Sequence, residues 1–224
     1  MRFLKVLSRY SYLEEYRIYI PYIAPFAVFA ICTYITPLFN LSQGVLYPIK
    51  TSLVAVCLVY SWDLYKEEIR LAFDWLAVIA GILVFLIWVL SEGFYPQIGH
   101  SEFNPYTYAS GYGVFLLIAF RLIGASLVVP VMEELFWRSF ALRFLVSYDF
   151  RAVPLGKFSW FSFVFISLAF GFEHHRWLVG IIAGMIYAGL LYRSKNLFVP
   201  ILSHSVTNLL LGLYVISTHN WSFW

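Results

Sequence analysis

The chain has 224 residues, of which 62% are hydrophobic and 12% are charged, and its formal net charge is +3. Soluble domains hold roughly 45–50% apolar and about 25% charged residues, and a soluble protein of this length could not bury so much apolar surface. The composition therefore predicts an integral membrane protein of several spans. It excludes a soluble enzyme, a secreted disulfide domain, a disordered chain and a nucleic-acid-binding module.

The first 17 residues have the pattern of a helix that lies at the membrane surface. Arg2, Lys5 and Arg9 interrupt any apolar run of the kind that a signal peptide needs. The apolar residues of this segment fall near one helical face. We therefore expect an interfacial helix over residues 1–17.

Seven apolar runs follow, each near the roughly 20 residues that a spanning helix needs: residues 18–39, 45–62, 72–90, 113–131, 158–173, 177–192 and 197–217. Residues 132–148 continue a helical pattern but carry four charged side chains. They either extend the fourth span or form an eighth helix. The sequence thus predicts an all-α, polytopic transmembrane bundle of seven to eight spans, organised as a single membrane domain over residues 1–224.

The basic residues are distributed unevenly between the two ends of these spans. With seven spans and the N-terminus inside, the cytoplasmic side receives 12 of the 15 Lys and Arg residues, namely Arg2, Lys5, Arg9, Arg17, Lys66, Arg70, Arg138, Arg143, Arg151, Lys157, Arg193 and Lys195. Of the other three, Lys50 and Arg176 fall outside and Arg121 falls within a span. Since Lys and Arg mark cytoplasmic loops, we expect a cytoplasmic N-terminus and an external loop over residues 91–112.

Ionisable residues next to or inside apolar spans cost roughly 2.5–3.5 kcal/mol each, so they are functional candidates. The first group is Glu133-Glu134 followed by Arg138. Glu134 and Arg138 are one helical turn apart and face each other, whereas Glu133 points about 100° away. Arg138 can thus hold Glu134 ionised while Glu133 acts as a general base. The alternative is a helix start at the membrane interface, where carboxylates are favoured.

The second group combines an aromatic residue with two adjacent histidines. Phe170 and His174 share a helical face, and His175 points about 100° away from His174. At most one of the two histidines is therefore expected to face a site. The alternative is an interfacial anchor, which fits His175 and the Arg176-Trp177 pair that follows it.

The third group lies within the last span. His204 and Asn208 are one helical turn apart and present two polar side chains to one spot, with Ser203 and Thr207 beside them. The alternative is hydrogen bonding between helices without catalysis. Together the three groups supply Glu, His, His and Asn from separate helices around a polar cavity. Such a set suits peptide-bond hydrolysis, which needs a base for water and donors for an oxyanion.

The three motifs Glu133-Glu134-x-x-x-Arg138, Phe170-x-x-x-His174 and His204-x-x-x-Asn208 resemble a known signature in order and spacing. It is that of the CAAX protease and bacteriocin-processing (CPBP, or Abi) family of intramembrane proteases, which includes the type II CAAX prenyl endopeptidase. The resemblance covers residues 113–217. The string Glu-His-His-Arg-Trp also resembles a bacterial subgroup that is associated with exosortase systems.

The resemblance implies roles for the candidate residues. Glu133 and His174 would activate water, and His204 and Asn208 would hold the oxyanion. Glu134 and Arg138 would support them.

The resemblance also implies a helical bundle whose cavity opens to the cytoplasm. It implies a membrane-associated protein or peptide as substrate, cut within the lipid bilayer, and it suggests a bacterial inner membrane. No nucleic-acid partner is expected.

Two alternatives remain open at the level of the sequence. Glu133, His174 and His204 could instead be the ligands of a zinc protease. The hypothesis of a metal-free site with no cofactor is favoured, because Asn208 is better suited as an oxyanion donor than as a zinc ligand. The chain could also be a non-catalytic scaffold or a small transporter, although no internal repeat of the kind common in transporters is present.

Overall fold

The computed structural model of the chain describes residues 17–38, 42–100 and 102–224, with the side chains of residues 35–38 left out. Within this range the regular secondary structure is helical and no strand occurs, so the predicted all-α class is confirmed. The interfacial helix predicted for residues 1–17 lies, except for residue 17, outside the described residues.

Among the described residues, seven apolar helices lie at the seven predicted apolar runs. They are α1 (Ile20–Leu38), α2 (Gln43–Tyr60), α3 (Trp75–Leu90), α4 (Tyr112–Phe144), α5 (Trp160–Phe172), α6 (Trp177–Ser194) and α7 (Phe198–Thr218). Helices α2, α4, α6 and α7 are long and apolar enough to cross a membrane, and the other three are shorter apolar helices. Short helical turns occupy Trp62–Tyr65, Lys66–Glu68, Pro105–Tyr108, Phe150–Ala152 and Trp221–Phe223.

The charged segment after the fourth apolar run extends that span. Helix α4 continues without a break to Phe144 and contains two π-helical segments, Gly124–Val128 and Leu135–Ala141. Among the described residues there is therefore no separate helix over 132–148. The two glutamates of the first motif lie between the π-helical segments.

Successive helices run in opposite directions, so the bundle has two distinct ends. One end carries the short connections near Lys66, Arg151 and Lys195, and we call it the basic end. The other end carries residues 91–111 and 219–224, and we call it the loop end. The distribution of basic residues predicts Lys50 on the external side. In the structure Lys50 is instead buried within α2.

Two glycines let helices approach closely beside the second and third motifs. A Cβ atom at Gly81 of α3 would lie 2.4 Å from the carbonyl oxygen of Ser203 on α7. A Cβ atom at Gly171 of α5 would lie 2.2 Å from a side-chain carbon of Ile181 on α6. Only glycine permits these contacts, and small residues are the usual means of tight helix packing in membranes.

A polar cluster around Glu68 joins the α2–α3 connection to α4 at the basic end. The Arg143 guanidinium donates to Glu68 Oε1 at 2.8 Å, and the Ser139 hydroxyl donates to Oε2. The Tyr22 hydroxyl of α1 donates to the same Oε1 at 3.0 Å. One carboxylate therefore connects three parts of the bundle.

At the loop end, Arg176 joins the α5–α6 connection to two other segments. It donates to Glu92 at 2.8 Å and to the carbonyl oxygen of Ser222 at 3.0 Å. Burial alone would raise the pKa of Glu92, but the Arg176 guanidinium and the Gln97 amide offset it and leave this pKa below its usual value. The ion pair is therefore kept down to acidic pH.

Replacing Glu68 with glutamine is expected to destabilise the bundle, because Arg143 loses its carboxylate partner. The expected loss is roughly 1–3 kcal/mol in the free energy of unfolding, seen as a lower thermal midpoint in detergent. Glu67→Gln is the matched control, since Glu67 is exposed. Equal midpoints for the two variants would mean that the Glu68 cluster does not stabilise the fold.

Candidate active site

The four predicted catalytic side chains line one cavity of about 380 Å³. They are Glu133 of α4, His174 after α5, and His204 and Asn208 of α7. All seven helices contribute to the wall. Glu133 and His204 are each 5% exposed, whereas His174 and Asn208 are partly buried. The three motifs, which are far apart in the sequence, therefore meet at one site.

Glu134 and Arg138 form an ion pair in the interior of the bundle. Arg138 Nε lies 3.1 Å from Glu134 Oε2, and the two side chains are 1% and 0% exposed. The guanidinium also lies against two aromatic faces, 4.0 Å from the ring centre of Phe170 and 5.4 Å from that of Tyr187. Such cation–π contacts stabilise a desolvated guanidinium. The pair thus fixes α4 against α5 and α6.

His204 lies between the two glutamates. Its Nδ1 is 2.9 Å from Glu134 Oε1, and its Nε2 is 4.0 Å from Glu133 Oε2. Because an ionised carboxylate can only accept, Nδ1 carries a hydrogen and donates it to Glu134. The ring stacks on Tyr187, with centres 4.9 Å apart and an interplanar angle of 21°. The orientation of the imidazole is thereby fixed, with Nε2 toward Glu133.

Glu133 differs from its neighbour in having no guanidinium partner. The Oε2 atoms of both glutamates are buried and make no hydrogen bond within the described part of the chain, but Glu134 has the Arg138 guanidinium at 3.1 Å and Glu133 has no such partner. The 4.0 Å to His204 Nε2 is too long for a hydrogen bond and short enough for one water molecule to bond to both groups. The two glutamates are thus unequal: Glu134 is held in a polar network and Glu133 faces the cavity.

The two adjacent histidines of the second motif point in different directions. His174 Nδ1 lies 2.8 Å from the carbonyl oxygen of Phe170, one helical turn earlier. Since a carbonyl only accepts, Nδ1 carries the hydrogen and Nε2 keeps a lone pair. The exposed His175 bonds the carbonyl oxygen of Ile98 in the loop that follows α3. Both histidines nevertheless line the cavity, which differs from the expectation that at most one of them faces a site.

Asn208 is held by the first π-helical segment of α4. Its amide nitrogen donates to the carbonyl oxygen of Ala125 at 2.8 Å. A π-helical turn changes the hydrogen-bonding pattern of the backbone and can leave a carbonyl to be satisfied by a side chain. The second hydrogen of the Asn208 amide is not used by this bond. Asn208 is therefore oriented and still able to donate.

The structure adds residues that the sequence patterns did not single out. Glu173 lines the cavity and accepts a hydrogen bond from the Trp137 indole at 3.1 Å. Tyr187 also lines the cavity and donates to Thr207 at 2.8 Å. Glu173 is adjacent to His174 in the sequence, and this position could have identified it as a candidate site residue. Tyr187 lies in an apolar helix with no such signal.

A protein metal site needs several His, Cys, Asp or Glu side chains close together. In the ranges that the structure describes, no group of three or more His, Cys, Asp or Glu side chains is arranged to hold a metal ion. Glu133, His174 and His204 do not form such a group in this geometry, and a mechanism without a metal stays a prediction.

The cavity extends from Glu133 toward the loop end, where Glu102, Phe103 and Trp224 line it. The cytoplasmic opening of the cavity and the cytoplasmic position of the basic end both stay predictions.

One comparison with known proteins identifies a related family. Residues 114–210 match the family described as Rce1-like, type II CAAX prenyl endopeptidase Rce1-like. This family is one of CAAX-type proteases, so the resemblance predicted from the three motifs is confirmed; the exosortase-associated subgroup stays a prediction. No curated protein and no solved structure matches the chain. The matched region runs from the third residue of α4 into α7 and contains all three motifs.

Replacing Glu134 with glutamine is expected to lower the free energy of unfolding by roughly 3–5 kcal/mol, because Arg138 is left buried without a counter-charge. Glu133→Gln is the matched control, since it removes a carboxylate that has no cationic partner of this kind. Thermal unfolding of the purified variants in detergent measures both. Equal destabilisation by the two substitutions would contradict the division of roles between the glutamates.

Proposed function

We propose that this protein, whose residues 114–210 match the type II CAAX prenyl endopeptidase Rce1-like family, is an intramembrane endopeptidase with Glu133 as its general base. The observation that carries the proposal is the 4.0 Å separation of Glu133 Oε2 from His204 Nε2. At this separation one water molecule that lies beside the two atoms could bond to both of them. The substrate is a membrane-associated protein or peptide.

In the first step, water attacks the carbonyl carbon of the scissile peptide bond. Glu133 takes one proton from the water as the new C–O bond forms, and the carbonyl oxygen becomes an oxyanion. His174 assists by accepting a hydrogen bond from the same water at Nε2, which is left unprotonated by the bond from Nδ1 to Phe170. The low polarity of the cavity strengthens these interactions.

The oxyanion is held by His204 and Asn208. Glu134 bonds Nδ1 of His204 and favours the doubly protonated imidazolium, whose Nε2–H can then donate to the oxyanion. Asn208 contributes the amide hydrogen that Ala125 does not use. When the intermediate collapses, the C–N bond breaks and Glu133 passes its proton to the leaving nitrogen. The products are a carboxylic acid and an amine, which ionise to a carboxylate and an ammonium group.

The proposal is tested with the protein in liposomes that also contain membrane proteins of the producing cell. New peptide termini are quantified by mass spectrometry. Glu133→Gln is expected to abolish cleavage, because the amide cannot accept the proton, and His174→Ala to lower the rate by orders of magnitude. His175→Ala is the matched control and keeps near-normal activity. Adding His174→Ala to Glu133→Gln should cost little more, because groups of one mechanism are not additive.

The same assay separates the alternatives. Activity is expected to survive exhaustive chelation. Loss of activity on chelation and its recovery with zinc would reject the metal-free mechanism and make Glu133, His174 and His204 ligands. Undiminished cleavage by Glu133→Gln would reject its role as base, and absence of any cleavage by the wild-type protein would favour a scaffold.

A further inference from the structure

Three exposed basic side chains lie together at the basic end of the bundle, outside the cavity. They are Arg70 in the segment before α3, Lys157 in the segment before α5 and Lys195 at the end of α6. Within the ranges that the structure describes, none of the three forms an ion pair with a carboxylate, whereas Lys66 at the same end is paired with Asp63 at 2.6 Å. The three cations are therefore available to a ligand.

The carboxylates near these residues in the sequence do not neutralise them. Glu68 and Asp74, on either side of Arg70, each form an ion pair with a different arginine. Two further acidic residues, Glu67 and Asp149, are exposed, and in the described part of the chain they form no ion pair with any of the three cations. The counter-charge for this group of cations therefore has to come from outside the described chain.

Contacts between the connecting segments bring the three residues to one surface. The Asn196 side chain donates to the carbonyl oxygen of Arg70 at 2.6 Å and accepts from its N–H at 3.0 Å. The Arg70 guanidinium donates to the carbonyl oxygen of Lys195 at 3.4 Å. A Cβ atom at Gly156 would lie 3.1 Å from Cγ of Lys195, and Lys157 is the next residue. Three connections of the bundle thus contribute one cation each.

Lys195 occupies a backbone position that favours glycine. It has φ 50° and ψ 35°, in the left-handed region, and its N–H bonds the carbonyl oxygen of Leu191 at 2.8 Å to end α6. Glycine or asparagine is usual at such a helix end, because a longer side chain is strained there. Strained backbone is commonly retained where it serves a function, so the position of Lys195 indicates a role for its charge.

Exposed aromatic side chains place these cations at the depth of lipid headgroups. Phe73 and Trp75 pack edge to face at the start of α3, with ring centres 4.8 Å apart, and Phe158 and Trp160 do the same at the start of α5, at 4.9 Å. All four rings are exposed. Tryptophan is enriched where the apolar core of a bilayer meets the headgroups. Two of the cations precede these aromatic pairs in the sequence and therefore lie at the headgroup side.

We propose that Arg70, Lys157 and Lys195 form a binding site for the phosphate headgroup of an anionic phospholipid. Guanidinium and ammonium groups both donate to phosphate oxygens, and basic pockets between transmembrane helices are suited to anionic headgroups. The acyl chains of the lipid would lie against the exposed aromatic pairs. The site is separate from the cavity that holds Glu133, and it does not depend on the proposed peptidase function.

Competitive lipid binding to the purified protein tests the site. The protein in a neutral detergent is mixed with equal amounts of phosphatidylglycerol and phosphatidylcholine that have identical acyl chains, and native mass spectrometry measures the ratio of the two adducts. Each Lys or Arg near an anionic lipid strengthens binding by about fivefold. The wild-type protein should therefore prefer phosphatidylglycerol by on the order of a hundredfold. Equal binding of the two lipids would overturn the inference.

Variants connect the preference to the three residues. Lys195→Gly removes the charge and also the backbone strain, so it should lower the preference about fivefold without lowering the thermal midpoint in detergent. Arg70→Gln and Lys157→Gln should lower the preference by a similar factor, whereas Lys195→Arg should keep it. Lys66→Gln is the matched control and should leave the preference unchanged, because Lys66 is exposed at the same end but already paired with Asp63.

Three other outcomes would also reject the lipid site. An equal loss of preference in Lys66→Gln and Lys195→Gly would mean that the whole basic end attracts anionic lipids without a defined site. An unchanged preference with a lower thermal midpoint in Lys195→Gly would assign the charge of Lys195 to stabilising the end of α6. Displacement of phosphatidylglycerol by inorganic phosphate at equal concentration would identify a site for soluble phosphate instead of a lipid.

Discussion

The buried ion pair between Glu134 and Arg138 is the constraint on which the site depends. Neither charge could remain in the interior alone, since an unpaired buried charge costs several kcal/mol. Pairing makes both tolerable, and the partners of the pair then determine the geometry. Arg138 holds the ring of Phe170, and Glu134 holds the imidazole of His204. One ion pair thus positions side chains from three helices.

This arrangement explains how two adjacent glutamates can differ in function. Successive residues of a helix point about 100° apart, so the direction that places Glu134 on Arg138 leaves Glu133 facing the cavity. His204 lies near both glutamates, with Nδ1 toward Glu134 and Nε2 toward Glu133. The buried network of Arg138 and Glu134 therefore orients His204, and in the proposed mechanism the neighbouring Glu133 carboxylate is the reactive group.

Much of this could be predicted from the sequence, because helical spacing alone puts Glu134 on the face of Arg138 and His204 on the face of Asn208. The apolar runs also located the seven apolar helices α1 to α7. The π-helical segments could not be predicted, since they depend on packing between helices; a Cβ atom at Gly124 would lie 2.7 Å from Thr51 of α2.

The most direct test of this account is the protonation of the His204 ring, measured by nitrogen NMR on histidine-labelled protein, with His204→Gln used to assign the signal. The account predicts that Nδ1 carries a hydrogen in the wild-type protein, because the Glu134 carboxylate accepts it. In Glu134→Gln the Nδ1 signal should change. An unprotonated Nδ1 in the wild type would contradict the account, because His204 would then be oriented by something other than the buried ion pair.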